Sequence, residues 1–171
     1  MKLKKFIYKK VKSTNDTAIR LIKRGIKNGI ILTEIQTKGK GQRGNRWISK
    51  NGNLFVTIFF QINNRLSLKK ITSTNLLLLK KIISNNLNKK ICVKLPNDIL
   101  INKKKVCGIL QEIIYENEHK YLIVGIGINI INSPKILKYP TTYLNSYNKK
   151  KIDKIKLINK IKLYFEKKYK V

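Results

Sequence analysis

The chain has 171 residues, 42% of them hydrophobic, and 39 Lys and Arg stand against 8 Asp and Glu for a formal net charge of +31. That length is one domain's worth with room for a sizeable core, and the apolar content excludes a disordered chain. The charge would suit a nucleic-acid partner, but the lysines are scattered from Lys2 to Lys151, whereas a dedicated nucleic-acid surface pairs Arg with aromatics on one element; an A- and T-rich codon bias towards Lys, Ile and Asn explains the excess better.

The start, Met1-Lys2-Leu3-Lys4-Lys5, is followed by no apolar segment, so no signal peptide is expected. Ser13-Thr14-Asn15-Asp16 supplies an N-cap for a helix that turns Ala18, Ile19, Ile22 and Ile26 inward and ends between Gly25 and Gly29. Residues 29–36 read as a buried strand, 37–49 as a loop, and the β-branched and aromatic run 53–62 as a second strand. Residues 68–87 have helical spacing without breakers. A short strand, 91–95, stops at Pro96, which has no N–H to give a ladder. Residues 99–101 and 106–115 form a predicted hairpin over 102–104, and 121–130 pairs with the latter across the polar turn 116–120. A basic amphipathic helix, 153–169, closes the chain.

This order predicts an α+β fold, a central mixed β-sheet with helices packed mainly on one face, and a single domain over 1–171 without internal repeat or linker. The longest apolar runs, such as 121–131, fall short of the roughly 20 residues of a membrane span. Cys92 and Cys107 lack metal or redox spacing and read as buried free thiols in a reducing compartment, so the expected location is the cytoplasm.

Four segments stand apart from scaffold. In Gly39-Lys40-Gly41-Gln42-Arg43-Gly44-Asn45-Arg46-Trp47 the glycines allow close backbone approach and leave amide N–H groups for phosphate oxygens, while Arg43 and Arg46 offer forked donors. Trp47, the only Trp, can stack on a base or wall a pocket; the bland alternative is a flexible basic loop followed by a core Trp. Lys94-Leu95-Pro96-Asn97-Asp98 is either a plain turn or the lip of a cleft. Lys103-Lys104-Lys105-Val106-Cys107-Gly108 is a solvated turn unless one lysine is singled out. Gly125-Ile126-Gly127-Ile128-Asn129 alternates glycines along a strand, which implies that a ligand or a packed helix comes close to its face.

In this order the segments resemble the biotin–protein ligase family. The family's Ser-Thr-Asn is matched by Ser13-Thr14-Asn15, its Gln before a GRGR-type loop by Gln36 and Gly39 to Trp47, and its Lys-Trp-Pro-Asn-Asp by Lys94 to Asp98 with Leu95 in place of Trp. Its Lys-x-x-Gly-Ile-Leu-x-Glu is matched by Lys105, Gly108, Ile109, Leu110 and Glu112, and its Gly-Ile-Gly-Ile-Asn by residues 125–129. Five collinear matches over 12–132 carry the resemblance.

The resemblance implies a sheet of the class II aminoacyl-tRNA-synthetase and biotin ligase kind. It implies an enzyme that uses ATP, with Mg²⁺, to form biotinyl-5′-AMP. Biotin then passes to a lysine of a biotin carboxyl carrier protein, an acetyl-CoA carboxylase subunit. Lys105 would bridge the biotin carboxylate and the α-phosphate, with Arg43 beside it. Ser13, Thr14, Asn15 and Gln36 would bind the ureido ring. Gly39, Lys40, Gly41, Gln42, Gly108, Gly125 and Gly127 would line the biotin site; Arg46, Trp47, Asn97 and Asn129 would face the nucleotide. The usual loop arginines are here Gln42 and Asn45, with Arg43 and Arg46 each one place later. The chain has no room for the family's helix-turn-helix or SH3-like domain, so no specific DNA target is expected, and pairing of two copies through a sheet edge stays open. The same fold also serves lipoate and octanoyl transfer, and a basic nucleic-acid-binding module is the reading from another class.

Overall fold

The computed structural model describes residues 2–62, 67–85, 87, 89–148 and 150–170. In chain order these form β1 (Lys5–Val11), α1 (Thr14–Lys23), β2 (Asn28–Gln36), β3 (Leu54–Gln61), α2 (Leu68–Ser84), β4 (Ile91–Lys94), β5 (Asp98–Ile101), β6 (Lys104–Glu116), β7 (His119–Ile128) and α3 (Lys154–Tyr169). One seven-stranded sheet holds every strand in the order β1-β2-β3-β7-β6-β5-β4; β1 and β2 are parallel and every other pair is antiparallel.

The period of two along the strands decides which face is which. Leu54, Val56, Ile58 and Phe60 of β3, with Leu122, Val124, Ile126 and Ile128 of β7, point to the face that α2 and α3 cover, and they form the main core with Leu76, Leu79, Ile161 and Phe165. Burial of such side chains stabilises by roughly 1.5–3 kcal/mol each. Phe59 and Ile123, one place out of step, point the other way and pack against Ala18 and Ile22 of α1 together with Ile31. Two of the three helices therefore share one face, and α1 alone lies on the other. It is too short to cover that face. The part it leaves bare, over β6 and β7, is where the cavity lies.

The expected elements are present with ends moved by a few residues. The sequence analysis gives no strand before Ser13, whereas β1 pairs along β2 from Lys5 to Val11. Its lysine-rich exposed side hides the alternation of Phe6 and Tyr8, which pack beside the α1 core. The helix expected over 68–87 ends at Ser84, and its predicted span runs across Asn86, outside the described residues, as is Lys149. Cys92 is exposed on β4 rather than buried, because it alternates out of phase with Ile91.

The last turn of the C-terminal helix is tied in twice. Leu3 N donates to Glu166 Oε1 at 2.8 Å, and Tyr169 OH donates to Asn75 Oδ1 at 2.7 Å inside the α2–α3 core.

Candidate active site

The floor of the cavity is a patch of strand with no side chains. Gly127 pairs with Phe55 on one side and Gly108 on the other, and Gly125 lies between Thr57 and Leu110. What comes close is the Trp47 ring at two of these glycines and an α1 side chain, Asn15, at the third. A Cβ at Gly127 would fall 2.4 Å from Trp47 Cε2, one at Gly108 would fall 2.8 Å from Trp47 Cζ3, and one at Gly125 would fall 2.3 Å from Asn15 Oδ1. The glycines admit an indole ring and an amide directly onto the backbone.

One end of the floor is walled by polar groups on the first turn of α1. Ser13 caps the helix, its Oγ accepting from Asp16 N at 3.4 Å. Thr14 N and Thr14 Oγ1 both donate to Gln36 Oε1, at 2.8 and 3.0 Å, and Gln36 Nε2 donates to Ser49 Oγ at 3.1 Å. Asn15 is held from two sides: Thr57 Oγ1 donates to its Oδ1 at 2.7 Å, and its Nδ2 donates to Glu112 Oε2 at 2.6 Å and Leu110 O at 3.4 Å. Ser13, Thr14 and Asn15 are all buried, so this is a rigid polar wall rather than a solvated helix start.

The glycine loop is a small folded hairpin. Gly41 N donates to Asn45 O, Trp47 N to Gly39 O, and Asn45 N to Gln42 O, around a single turn at Gln42–Gly44. Three amides expected to face a phosphate are thus used inside the loop. Arg43 at its tip has left-handed backbone (φ 54, ψ 42) and is exposed, and Arg46 Nη2 donates to Thr37 O at 2.6 Å. Lys40 is ion-paired with Asp16; that hydrogen bond raises its pKa, against partial desolvation, with Glu112 adding a smaller raising effect.

At the far end of the floor stands Lys105. Its Nζ lies 2.8 Å from Asp98 Oδ1, with the two side chains 13% and 20% exposed. It also lies 5.4 Å from the Trp47 ring centroid and 5.2 Å from that of Tyr139. Lys103 and Lys104 are exposed in the turn, so Lys105 alone of the lysine run enters the site. Next to it, burial pushes the Cys107 thiol pKa far up, outweighing the lowering by the Lys105 charge, so Cys107 is an inert core thiol.

These groups enclose a cavity of about 420 Å³. Ser13, Thr14, Asn15, Gln36, Lys40, Gly41, Gln42, Arg43, Arg46, Trp47, Asn97, Lys105, Gly108, Gly125 and Gly127 all line it. Two expected residues do not. Gly39 sits behind the loop, where a Cβ would strike Trp47 O at 2.6 Å. Asn129 is 2% exposed with both ends of its amide engaged, Nδ2 donating to Thr142 O at 3.1 Å and Oδ1 accepting from Asn53 Nδ2 at 3.4 Å. It lies instead on the small cavity behind Trp47, beside Lys105 and Tyr139. Tyr139 and Thr57 were not expected: Tyr139 follows no motif and arrives by tertiary packing, and Thr57 reads as one more β-branched strand residue. The Trp47 Nε1 is buried and has no hydrogen-bond partner among the described residues, a donor left for a ligand acceptor.

No group of three or more His, Cys, Asp or Glu among the described residues is placed to hold a metal ion, and Asp98, the carboxylate on the wall beside Lys105, is paired with it. The described residues do not by themselves form a Mg²⁺ cage.

The sequence profile of the Biotin/lipoate A/B protein ligase family matches residues 7–129. The chain belongs to this family. The Bifunctional ligase/repressor BirA of Bacillus spizizenii is 33% identical over 169 residues, 93% of this chain and 51% of that protein. The Biotin–[acetyl-CoA-carboxylase] ligase of Paracoccus denitrificans is 29% identical over 71% of this chain and 52% of its own. The chain spans about half the length of the curated relatives it matches. The biotin protein ligase of Aquifex aeolicus in complex with biotin and ATP superposes with a TM-score of 0.80 at 27% identity, covering 98% of this chain and 70% of that one. That of Leishmania major in complex with biotinyl-5-AMP gives 0.75 at 27% identity, covering 92% and 71%. This member of the family thus carries the expected α+β fold of the biotin ligases. No described helix is long and apolar enough to cross a membrane.

Proposed function

We propose that the chain is the catalytic domain of an ATP-dependent biotin–protein ligase. The carrying observation is the position of Lys105: its ammonium stands where the glycine-floored slot meets the loop that bears Arg43 and Arg46. An apolar slot with a polar amide end at one side suits a bicyclic ring with a ureido head and an aliphatic tail. The tail's carboxylate would then reach Lys105.

The difficulty of the first step is bringing a carboxylate onto a polyphosphate. A carboxylate oxygen attacks the α-phosphorus, an acyl–phosphate bond forms, and the bond to the departing pyrophosphate breaks. Fixed positive charge is the main requirement. Lys105 can exchange Asp98 for the incoming carboxylate and so keep an anionic partner of its own, and then stabilise the charge that builds on the α-phosphate. Arg43 and Arg46, at the exposed rim, would take the outer phosphates as forks. Mg²⁺ would enter on the nucleotide's own oxygens. In the second step a lysine ε-amine of a carrier domain attacks the acyl carbon, AMP leaves, and the amine's proton is lost to solvent. The Gly39–Trp47 hairpin would exclude water from the acyl-adenylate. The cytoplasm holds the ATP and the carrier such a reaction needs, and the free edges β1 and β4 are where two copies would pair.

Lipoate is the second reading, because the matched family covers both acids. Biotin is favoured by the amide-lined end built from Thr14, Asn15 and Gln36. The test is ATP–pyrophosphate exchange with purified protein and either acid, followed by transfer to a carrier domain. Exchange with biotin alone supports the proposal; exchange with lipoate alone replaces it. Exchange with neither, combined with tight and steeply salt-dependent binding to RNA, would favour the nucleic-acid reading.

A further inference from the structure

We infer that Tyr139 is a positioning residue for Lys105, delivered by a backbone strap, 139–142, whose anchor is Asn129; the kinetic consequence rests on the ligase reading above. The strap runs parallel to Lys105. Lys105 N donates to Pro140 O and Thr142 N donates to Lys105 O, both at 2.9 Å, with Lys105 and Thr141 as bridge partners. Its register is pinned from below: Asn129 Nδ2 donates to Thr142 O at 3.1 Å, Leu144 N donates to Asn129 O at 3.0 Å, and Thr142 Oγ1 donates to Tyr147 OH at 3.0 Å. A slip of one residue would turn Tyr139 to the opposite side. This explains why an asparagine at the end of the glycine strand is buried at 2% exposure rather than open to the cavity.

The strap places the Tyr139 ring centroid 5.2 Å from Lys105 Nζ, which also lies 5.4 Å from the Trp47 ring centroid, with Asp98 as the third side of the cage. The chemistry of the three sides differs in a useful way. A ring face attracts a desolvated ammonium through its quadrupole but carries no net charge. Had the second and third sides been carboxylates, they would hold the lysine more firmly and repel both a carboxylate and a polyphosphate. With two neutral aromatic sides, only Asp98 must give way when an anionic substrate enters, and the ammonium stays aimed while it changes partner. Tyr139 lines the main cavity and the small one behind Trp47, so its ring sits between the reacting end and the interior.

Two readouts test this. With lysine labelled at the ε-carbon, the Lys105 signal, assigned by its loss in Lys105→Arg, should be shifted upfield by the ring currents. It should stay so in Tyr139→Phe and move towards the bulk lysine position in Tyr139→Leu. Biotin-dependent exchange should lose about fivefold to tenfold in kcat in Tyr139→Leu, the size expected of one cation–π contact. The biotin Kd should hold within about twofold, since the contact acts on the charge transfer rather than on the ring site. Tyr139→Phe should restore most of kcat. An unmoved Lys105 signal in Tyr139→Leu, or equal losses in the Leu and Phe variants, would overturn the inference. If no acid supports exchange, the ligase reading fails while the Lys105 signal still decides the cage.

Discussion

Asn15 Oδ1 fills the space that a side chain at position 125 would need, since a Cβ on Gly125 falls 2.3 Å from it. The amide cannot yield cheaply, because Thr57 holds its oxygen at 2.7 Å and Glu112 its nitrogen at 2.6 Å. Gly125→Ala should therefore break this buried set rather than be absorbed by it, at roughly 1–3 kcal/mol for a group left unsatisfied. We expect biotin affinity to fall by about tenfold or more. Trp47 is the only Trp, so its fluorescence is a site-specific titration signal. An unchanged Kd would show that Asn15 has no part in holding the ligand.

Lys105 and Asp98 face each other at 2.8 Å in a poorly exposed corner, so removing one leaves the other charged and alone. Lys105→Ala should keep most biotin binding and lose adenylate formation by about 10²–10³-fold, the cost of deleting one preorganised transition-state donor. Lys105→Arg should not restore it, because a rigid planar fork cannot bridge two oxygens as a flexible point cation does. Single-turnover adenylate formation checks both: a wild-type rate in Lys105→Ala would remove Lys105 from catalysis, and one in Lys105→Arg would show that any cation at this position serves.

Much of this was legible from order and spacing. The N-cap at Ser13 and the glycines at 125 and 127 each impose a local demand that one residue type meets, a capping oxygen and a bare backbone, whereas Lys105 is told from Lys103 and Lys104 only by the family resemblance. The strand β1 was not legible, since Lys9 and Lys10 interrupt its alternation and its pairing with β2 depends on partners far along the chain. The loop amides were misjudged for a related reason. Glycine content reports that backbone N–H groups are accessible, but not that Gly41 and Asn45 would use theirs on each other's segment. Tyr139 lay beyond reach, because nothing local distinguishes a tyrosine that a strap will carry to an ammonium.

The two cysteines should separate cleanly by reactivity. Cys92 is exposed on the edge strand β4, while Cys107 is fully buried and its thiol pKa is pushed far up by desolvation. Only thiolate is alkylated at an appreciable rate. Iodoacetamide at pH 8 should add one label to the native protein, at Cys92, and a second only after denaturation, as read by mass spectrometry. Labelling of Cys107 in the native state would mean that the β6 core beneath Lys105 opens readily.

Glu166 fastens α3 to the N-terminus, and it makes the fold acid-sensitive. Burial alone would raise its pKa; the Lys162 hydrogen bond at 2.7 Å and the Leu3 amide at 2.8 Å, with the charges of Lys162 and Lys2, outweigh that and lower it. A carboxylate depressed on folding contributes stability that is present above its unfolded pKa and is lost as pH falls through the folded value. Glu166→Gln should thus be less stable than the wild type at pH 7, by about 1–3 kcal/mol for charge-assisted hydrogen bonds. As pH drops below the ordinary carboxylate range the wild type should lose that margin and the two unfolding curves should draw together. Urea midpoints at pH 7, 5 and 3 measure the gap. A gap that stays constant to pH 3 would mean the Leu3 and Lys162 contacts are indifferent to the charge on Glu166, and that α3 is held by Phe165 and Tyr169 packing alone.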